Sequence, residues 1–265
     1  MVMTRQLLGG LAAIALFTGS ANAVTLFADN FDGGSGDLNG TTPDTTTAAA
    51  TWVANSDFDA DGTVAGASTG GSATLAFTPV DGLVYTLDLS IAATAFGSSP
   101  DNDWFALGFA KGQSAADGSQ NRFINVNVIG KAWMLQRGPA PITNGGTNTS
   151  FLGTATSGTQ NNAEWESLAS LFGGNADLRI VLDTTGGAGS WNATFYAKAT
   201  NDANFQVIRS TQNLVSEDID SVGFARSSGD ISGSVTSFSL TAVPEPSSLA
   251  LIGLGGLLIA RRRRA

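Results

Sequence analysis

Alternation of apolar and polar residues runs through most of the chain and predicts β-strands. Across residues 83–91 the odd-numbered positions are apolar, whereas Thr86, Asp88 and Ser90 are polar. A period of two places the apolar side chains on one face of a strand and leaves the other face to water. Gly, Asn, Asp, Ser and Thr fill the segments between such runs, as turns require. We therefore expect an all-β body with about ten to twelve strands in two packed antiparallel sheets.

One segment departs from this period. In residues 163–174 the apolar positions Trp165, Leu168, Ala169 and Phe172 follow helical spacing, and Gly173 closes the run. This spacing predicts a short helix.

The first 23 residues have the three parts of a secretory signal peptide. Arg5 supplies a positive charge, Leu7–Phe17 is a largely apolar stretch, and Ala21 and Ala23 form a small-residue cleavage site. The apolar stretch is too short for a stable membrane span. We expect a signal helix that signal peptidase removes, leaving Val24 as the first residue of the mature chain.

The C-terminal segment, residues 243–265, joins two prolines to a short apolar run and a cluster of arginines. The run at residues 249–260 would form about 18 Å of helix, against a hydrocarbon core of about 30 Å. Pro244 and Pro246 favour extended backbone around Glu245, and we expect this stretch to be exposed just outside the membrane. The arginines would stay on the cytoplasmic side of this short transmembrane helix. They are Arg261, Arg262, Arg263 and Arg264.

This tripartite tail resembles the PEP-CTERM sorting signal. The resemblance rests on Pro244-Glu245-Pro246, the apolar Gly/Leu stretch and the terminal arginine cluster. It implies an exported protein of a biofilm-forming Gram-negative bacterium. It also implies recognition by an exosortase, a membrane-embedded cysteine transpeptidase, with release or transfer at the cell surface. The membrane would then hold the protein only transiently, through its C-terminal helix.

Charge and composition narrow the function of the body, which we place at residues 24–242. This body has eight basic and 21 acidic residues, and the whole chain has neither cysteine nor histidine. So acidic a surface repels nucleic acid, and we expect no nucleic-acid partner. Without histidine or cysteine, Ser-His-Asp and Cys-His catalysis are excluded.

The opening of the body resembles that of concanavalin A-like and laminin-G-like jelly-roll domains. The resemblance rests on Asp29-Asn30-Phe31, on "LNGTTPD" at residues 38–44, and on Trp52 in the strand that follows. It implies a two-sheet jelly-roll sandwich with a sheet that faces a ligand. The signal helix and the short transmembrane helix would flank this sandwich.

Jelly rolls also host glycosidases, which need a close pair of carboxylates. The candidate pairs are Glu164 with Glu166, and Glu217 with the acids at the start of the strand that we predict after it. Neither matches the alternating acidic pattern of the jelly-roll glucanase family, so we interpret both as surface charge. No cofactor and no catalytic residue are expected, and a carbohydrate-active enzyme remains the alternative function.

A metal prediction arises at Asp57, Asp59 and Asp61, which are followed by Gly62. This spacing matches the first half of a calcium loop, but Ser68 stands where the bidentate glutamate belongs. Asp61-Gly62 is also a typical turn dipeptide. Turn formation is the preferred interpretation, and a weak calcium site is the alternative.

Ligand-binding candidates come from aromatic and amide side chains on the polar faces of predicted strands. Exposed rings stack on sugars and amides bind hydroxyl groups. Packing beneath loops is the preferred interpretation of the rings. The candidates are Trp104, Asn125, Asn127, Trp133 and Tyr196.

Taken together, these patterns predict an exported, non-catalytic protein of the cell surface or extracellular matrix. Its partners would be signal peptidase and an exosortase during export. A polysaccharide of a biofilm or exopolysaccharide matrix is the candidate ligand.

Overall fold

The described part of the chain contains fifteen β-strands. The computed structural model describes residues 22–47, 49–64, 70–95, 104–113, 130–137, 149–153, 165–167, 175–214, 217–226 and 232–244. The strands are β1 Val24–Asp29, β2 Thr45–Thr46, β3 Val53–Ala54, β4 Thr63–Val64, β5 Gly71–Ala76, β6 Leu83–Ala95, β7 Trp104–Ala110, β8 Gly130–Arg137, β9 Thr149–Gly153, β10 Trp165–Ser167, β11 Asn175–Asp183, β12 Asn192–Ala199, β13 Gln206–Asn213, β14 Ser221–Arg226 and β15 Ser232–Pro244.

The strands pair into two antiparallel sheets. One sheet has the order β13-β12-β11-β6-β15-β1-β2, with β4 also paired to β15. The other has the order β10-β9-β8-β7-β14-β5-β3. The chain changes sheet at each step from β2 to β7, then between β10 and β11, and again on either side of β14. The all-β two-sheet sandwich predicted from alternation is therefore confirmed.

Alternation also sets which residues form the core. In β11 the even positions Ala176 to Leu182 are buried, whereas the odd positions are exposed or half-buried. The rings of Trp52, Phe224 and Phe238 meet at the centre, with Trp52 lying 5.3 Å from Phe224 and 5.1 Å from Phe238 between ring centroids. These edge-to-face contacts join the two sheets, because Phe224 lies in β14 and Phe238 in β15.

A buried carboxylate ties the first strand to this aromatic cluster. Asp29 is 6% exposed and accepts hydrogen bonds from the Trp52 indole N–H at 2.7 Å and the Phe31 backbone N–H at 2.8 Å. Burial raises the pKa of Asp29, and the bond from Trp52 opposes that rise. Phe31 adopts a left-handed φ of 53°, which turns its ring back towards Trp52. The residues that carried the jelly-roll resemblance therefore form one structural unit.

Two local predictions are wrong. Trp165–Ser167 is a strand that pairs with β9, so this part of the predicted helix is extended. A short apolar run fits either period, and pairing with a neighbouring strand decides between them. The strand expected at the acidic run that starts with Glu217 begins at Ser221 instead. Just before it, the Asp220 backbone N–H bonds the C=O of Ala110, the last residue of β7.

The chain ends have a narrower structural description. The predicted signal helix and the predicted C-terminal helix lie outside the described residues. Within those residues, no helix has the length and apolar character needed to cross a membrane. The predicted boundary between body and tail falls inside β15, because that strand continues through Val243 and Pro244.

Replacing Trp52 with phenylalanine is expected to lower the free energy of unfolding by about 1–3 kcal/mol, because the buried Asp29 carboxylate loses a donor. The loss should grow as the pH rises above 4. The bond from Trp52 stabilises the charged form of Asp29, so its removal raises the folded-state pKa of Asp29 further above the ordinary value of 3.8. A carboxyl group with a raised folded-state pKa lowers the free energy of unfolding as the pH rises and the group ionises. Urea unfolding between pH 4 and pH 8 measures both effects.

The matched control is Trp191→Phe, which removes an indole bond to the exposed Asp81. Its cost should be smaller and should not grow over the same pH range. Equal costs at both tryptophans, with equal pH dependence, would contradict the role assigned to Asp29.

Candidate functional site

The end of β15 brings the start of the sorting segment into the eight-stranded sheet. Val243 lies opposite Val84 and Pro244 lies opposite Leu83 in the register with β6. Both are half-buried, and Ala242 just before them is 5% exposed. The extended conformation predicted for this stretch is thus present at residues 243–244, but as a paired strand rather than as a free segment. Glu245, Pro246 and the four arginines lie outside the described residues.

The ladder explains how a proline fits inside a sheet. The Leu83 N–H bonds the Thr184 hydroxyl at 3.1 Å, and the Leu83 C=O accepts the Thr184 N–H at 3.0 Å. Both polar groups of Leu83 therefore point away from β15, so the position opposite needs no N–H towards β6. Because hydrogen-bonded pairs alternate, Val84 and Val243 form the last hydrogen-bonded pair between these strands.

The predicted signal-cleavage site lies beside the same strand end. Val24, the first residue of β1, pairs with Ala242. Ala23 is exposed and precedes this pair directly, whereas Ala21 lies outside the described residues. The two ends at which processing is predicted are therefore neighbours across one antiparallel ladder.

A network of hydrogen bonds holds this end of the sheet. The buried Thr184 hydroxyl lies 2.8 Å from the Val80 carbonyl oxygen, and the Tyr85 hydroxyl accepts the Val80 N–H at 2.7 Å. Burial raises the pKa of Tyr85, so this hydroxyl stays protonated. The Glu217 carboxylate accepts the backbone N–H groups of Gly189 at 2.6 Å and Trp191 at 2.7 Å, which fixes the β11–β12 hairpin.

The aromatic candidates do not form one ligand surface. Trp104 and Trp133 point away from the core on the seven-stranded sheet, and each is 2% exposed. A buried ring offers no face to a sugar, so both act as packing. Tyr196 points outward from β12, on the opposite sheet, because its neighbour Phe195 is in the core. Asn125 and Asn127 lie outside the described residues.

The segment from Asp57 to Gly62 forms a turn held by local hydrogen bonds. The Asp61 carboxylate accepts the Thr63 N–H at 2.9 Å, and this bond lowers the pKa of Asp61. Gly62 takes a φ of 77°, and its C=O accepts the Val235 N–H at 2.9 Å. Asp57 is buried, and Asp59 forms an isolated antiparallel β-bridge with Asp37 through the backbone. Across the described ranges, no group of three or more acidic side chains converges to hold a metal. The local geometry fits the preferred turn interpretation of Asp61-Gly62, and weak calcium binding at Asp57, Asp59 and Asp61 stays a prediction.

The carboxylates considered for catalysis have structural partners. Both oxygens of Glu217 bond backbone N–H groups, and Asp218 pairs with Lys111 at 2.7 Å. The Lys111 ammonium lowers the pKa of Asp218, and the Asp218 carboxylate raises the pKa of Lys111 in return. Glu166 lies in β10, and Glu164 lies outside the described residues.

A charged cluster on the outer face of the eight-stranded sheet escaped the sequence analysis. Arg179 bonds Asp88 through two nitrogens, at 2.6 and 3.0 Å, and its guanidinium lies 4.0 Å from the Phe205 ring centroid. Lys198 pairs with Asp177 at 3.2 Å. Alternation places Arg179 outward, but the pairing that brings Asp88 to it depends on the register of β6 with β11. No local pattern encodes that register.

Comparison with known proteins identifies the tail and the fold. Residues 242–264 match the PEP-CTERM protein-sorting motif. No curated protein matches the sequence. The seed lectin of Lotus tetragonolobus is similar in structure, with a TM-score of 0.50 and 13% identity over 76% of this chain and 96% of that chain.

Two further lectin-type structures are similar at lower TM-scores. Lectin II from Ulex europaeus gives 0.48 at 10% identity, covering 84% of this chain and 99% of that chain. The exoplasmic/lumenal domain of VIP36, in a Ca2+/Man-bound form, gives 0.45 at 9% identity, covering 74% and 83%. The PEP-CTERM motif and the likeness to concanavalin A-like lectin sandwiches, both expected from the sequence, are confirmed, the second as a likeness of fold alone.

Millimolar calcium is expected to leave the melting temperature of the protein unchanged, because the Asp61 carboxylate already accepts the Thr63 N–H and Asp57 is buried. Differential scanning fluorimetry with calcium, and with magnesium as the ionic-strength control, tests this. A calcium-specific rise in the melting temperature that Asp61→Asn abolishes would show that calcium binds at these aspartates.

Proposed function

We propose that this chain is an exported, non-catalytic surface protein that an exosortase sorts through its C-terminal segment. The observation that carries the proposal is the PEP-CTERM motif at residues 242–264, whose first three residues are also the end of β15 in the folded body. A fold that is complete at the motif can be released intact once the tail is removed.

The physical chemistry of the tail supports a temporary tether. Its apolar run is twelve residues long, about 18 Å as a helix, and is flanked by four arginines. A span shorter than the bilayer core is held at a cost in free energy. Such a segment suits a protein that waits for processing better than one that stays anchored.

The non-catalytic part of the proposal rests on the carboxylates. The candidate acids Glu217 and Asp218 serve a hairpin and an ion pair, and histidine and cysteine are missing from the sequence. The fold of the body resembles that of a seed lectin, which agrees with a binding or structural role. The released protein would reside at the cell surface or in the exopolysaccharide matrix of a Gram-negative biofilm.

Glycan binding is a second candidate function, and the lectin-like fold favours it. Among the aromatic candidates, Tyr196 is half-buried on an outward face and lies opposite Arg179 in the register. A ring beside hydrogen-bonding groups is the usual arrangement for a sugar. The acidic body excludes a polyanion, so a neutral or cationic polysaccharide is the proposed ligand.

Alanine at both Pro244 and Pro246 is expected to leave the full-length form in the inner membrane, because the exosortase motif is lost. Neutral residues at Arg261 to Arg264 should let the tail slip through the membrane and escape processing. Intact-mass measurement of surface-released and membrane-bound protein reads both outcomes.

Thr241→Ala, on the outward face directly before the motif, is the control and should be processed normally. The wild-type protein should end near residues 244–246 and lack residues 249–265. Recovery of the arginine tail on most released wild-type molecules would overturn the proposed sorting.

Replacing Tyr196 with alanine is expected to weaken polysaccharide binding about fivefold, from the loss of about 1 kcal/mol of stacking. Val207→Ala removes an exposed neighbour in β13 without removing a ring, and it should bind normally. A polysaccharide pull-down measures this binding. A reducing-end assay on the same samples distinguishes the binding protein from the glycosidase alternative, which would release sugar.

A further inference from the structure

The sorting motif and the folded sheet share residues. The motif begins at Ala242, whereas β15 ends at Pro244, so three motif residues are part of the eight-stranded sheet. Ala242 is flanked by strands on both sides, with Tyr85 of β6 opposite it in one ladder and Val24 of β1 in the other. One stretch of backbone therefore has to serve both the fold and an enzyme.

These two uses compete for the same polar groups. An enzyme that binds an extended peptide does so largely through hydrogen bonds to the peptide main chain. The main chain of Val243 is already bonded to Val84, and Ala242 is almost fully buried. Neither residue can enter a binding groove while those pairs persist.

The sheet end can open locally without unfolding the core. Beyond Val24 the described part of the chain gives Val243 and Pro244 no partner on the β1 side. The Leu83–Pro244 pair is not hydrogen-bonded, so one hydrogen-bonded pair to β6 secures these two residues. Strand ends of this kind open at far lower free energy than the core strands.

We propose that exosortase engagement requires the last residues of β15, from Ala242 to Pro244, to separate from β6 and β1. The sheet then acts as a competitor for the motif, and its local stability sets the rate of tail removal. This inference rests on the proposed exosortase sorting and adds a property of the substrate: the folded domain itself controls access to its own tag.

A cross-strand disulfide tests the proposal, and the cysteine-free sequence makes the experiment clean. Residues of a hydrogen-bonded pair have Cα atoms about 5.5 Å apart, within the range of about 4.4–6.8 Å that disulfides span. Val84→Cys with Val243→Cys locks the strand end. Thr86→Cys with Thr241→Cys locks the next equivalent pair, outside the motif, and is the matched control.

Both full-length variants are expressed in a host that contains the exosortase, and disulfide formation is verified by mass. We expect tail removal to fall about tenfold when the 84–243 bond is closed, and to recover on reduction. The 86–241 bond and the single Val84→Cys variant, which lies outside the motif, should leave tail removal at the wild-type rate. Equal processing of the oxidised and reduced 84–243 variant would overturn the inference.

A second variant works in the opposite direction and needs no disulfide. Thr184→Val removes the hydroxyl that bonds the Leu83 N–H, which loosens the β6 end without altering the motif. Tail removal should become faster, while a single cooperative thermal unfolding transition of the variant shows that the core persists. An unchanged rate in a folded variant with a loosened end, seen as faster hydrogen exchange at residues 83–84, would also overturn the inference. Failure of wild-type processing would instead refute exosortase sorting itself.

Discussion

The pairing of β15 between β6 and β1 is the constraint on which the rest of the sheet depends. β15 is the last of the described strands along the chain, yet it lies inside the eight-stranded sheet with twelve paired positions along β6. Phe238 and Leu240 on its inner face complete the core around Trp52. The domain therefore has no finished sheet until the residues next to the tail are in place. Folding and sorting meet in one strand.

Buried polar side chains limit which substitutions the sheet can accept. Asp29, Thr184 and Glu217 each satisfy backbone or indole donors that would otherwise be left without partners. Removing such a partner costs the full desolvation of the group that remains. Of the three, Glu217 was a catalytic candidate in the sequence, because a carboxylate can serve either catalysis or structure. In the structure all three hold loops and strand ends.

Local sequence patterns were enough to predict the two-sheet sandwich and the C-terminal sorting motif. Alternation in β6 and β11 is visible in the sequence, and the tail has all its parts within about twenty residues. Long-range pairing was not accessible in this way. The Arg179–Asp88 bond, the burial of Trp104 and the placement of Tyr196 on the opposite sheet all depend on register or sheet order. A short run such as Trp165–Ser167 carries too few positions to distinguish a helix from a strand.

Because Val24 pairs with Ala242, the two ends of the folded body lie close together. The order of the strands along the chain can therefore be changed while their arrangement in the sheets is kept. Paired residues of antiparallel neighbours have Cα atoms about 4.5–5.5 Å apart, so a loop of about two to five residues would join these two ends. The hairpin between β11 and β12, which is exposed at Ala188, offers a place for new termini. A circular permutant closed at one site and opened at the other would retain both sheets. It would also carry the sorting tail on β11 instead of β15, so that the tag and the central strand no longer share backbone.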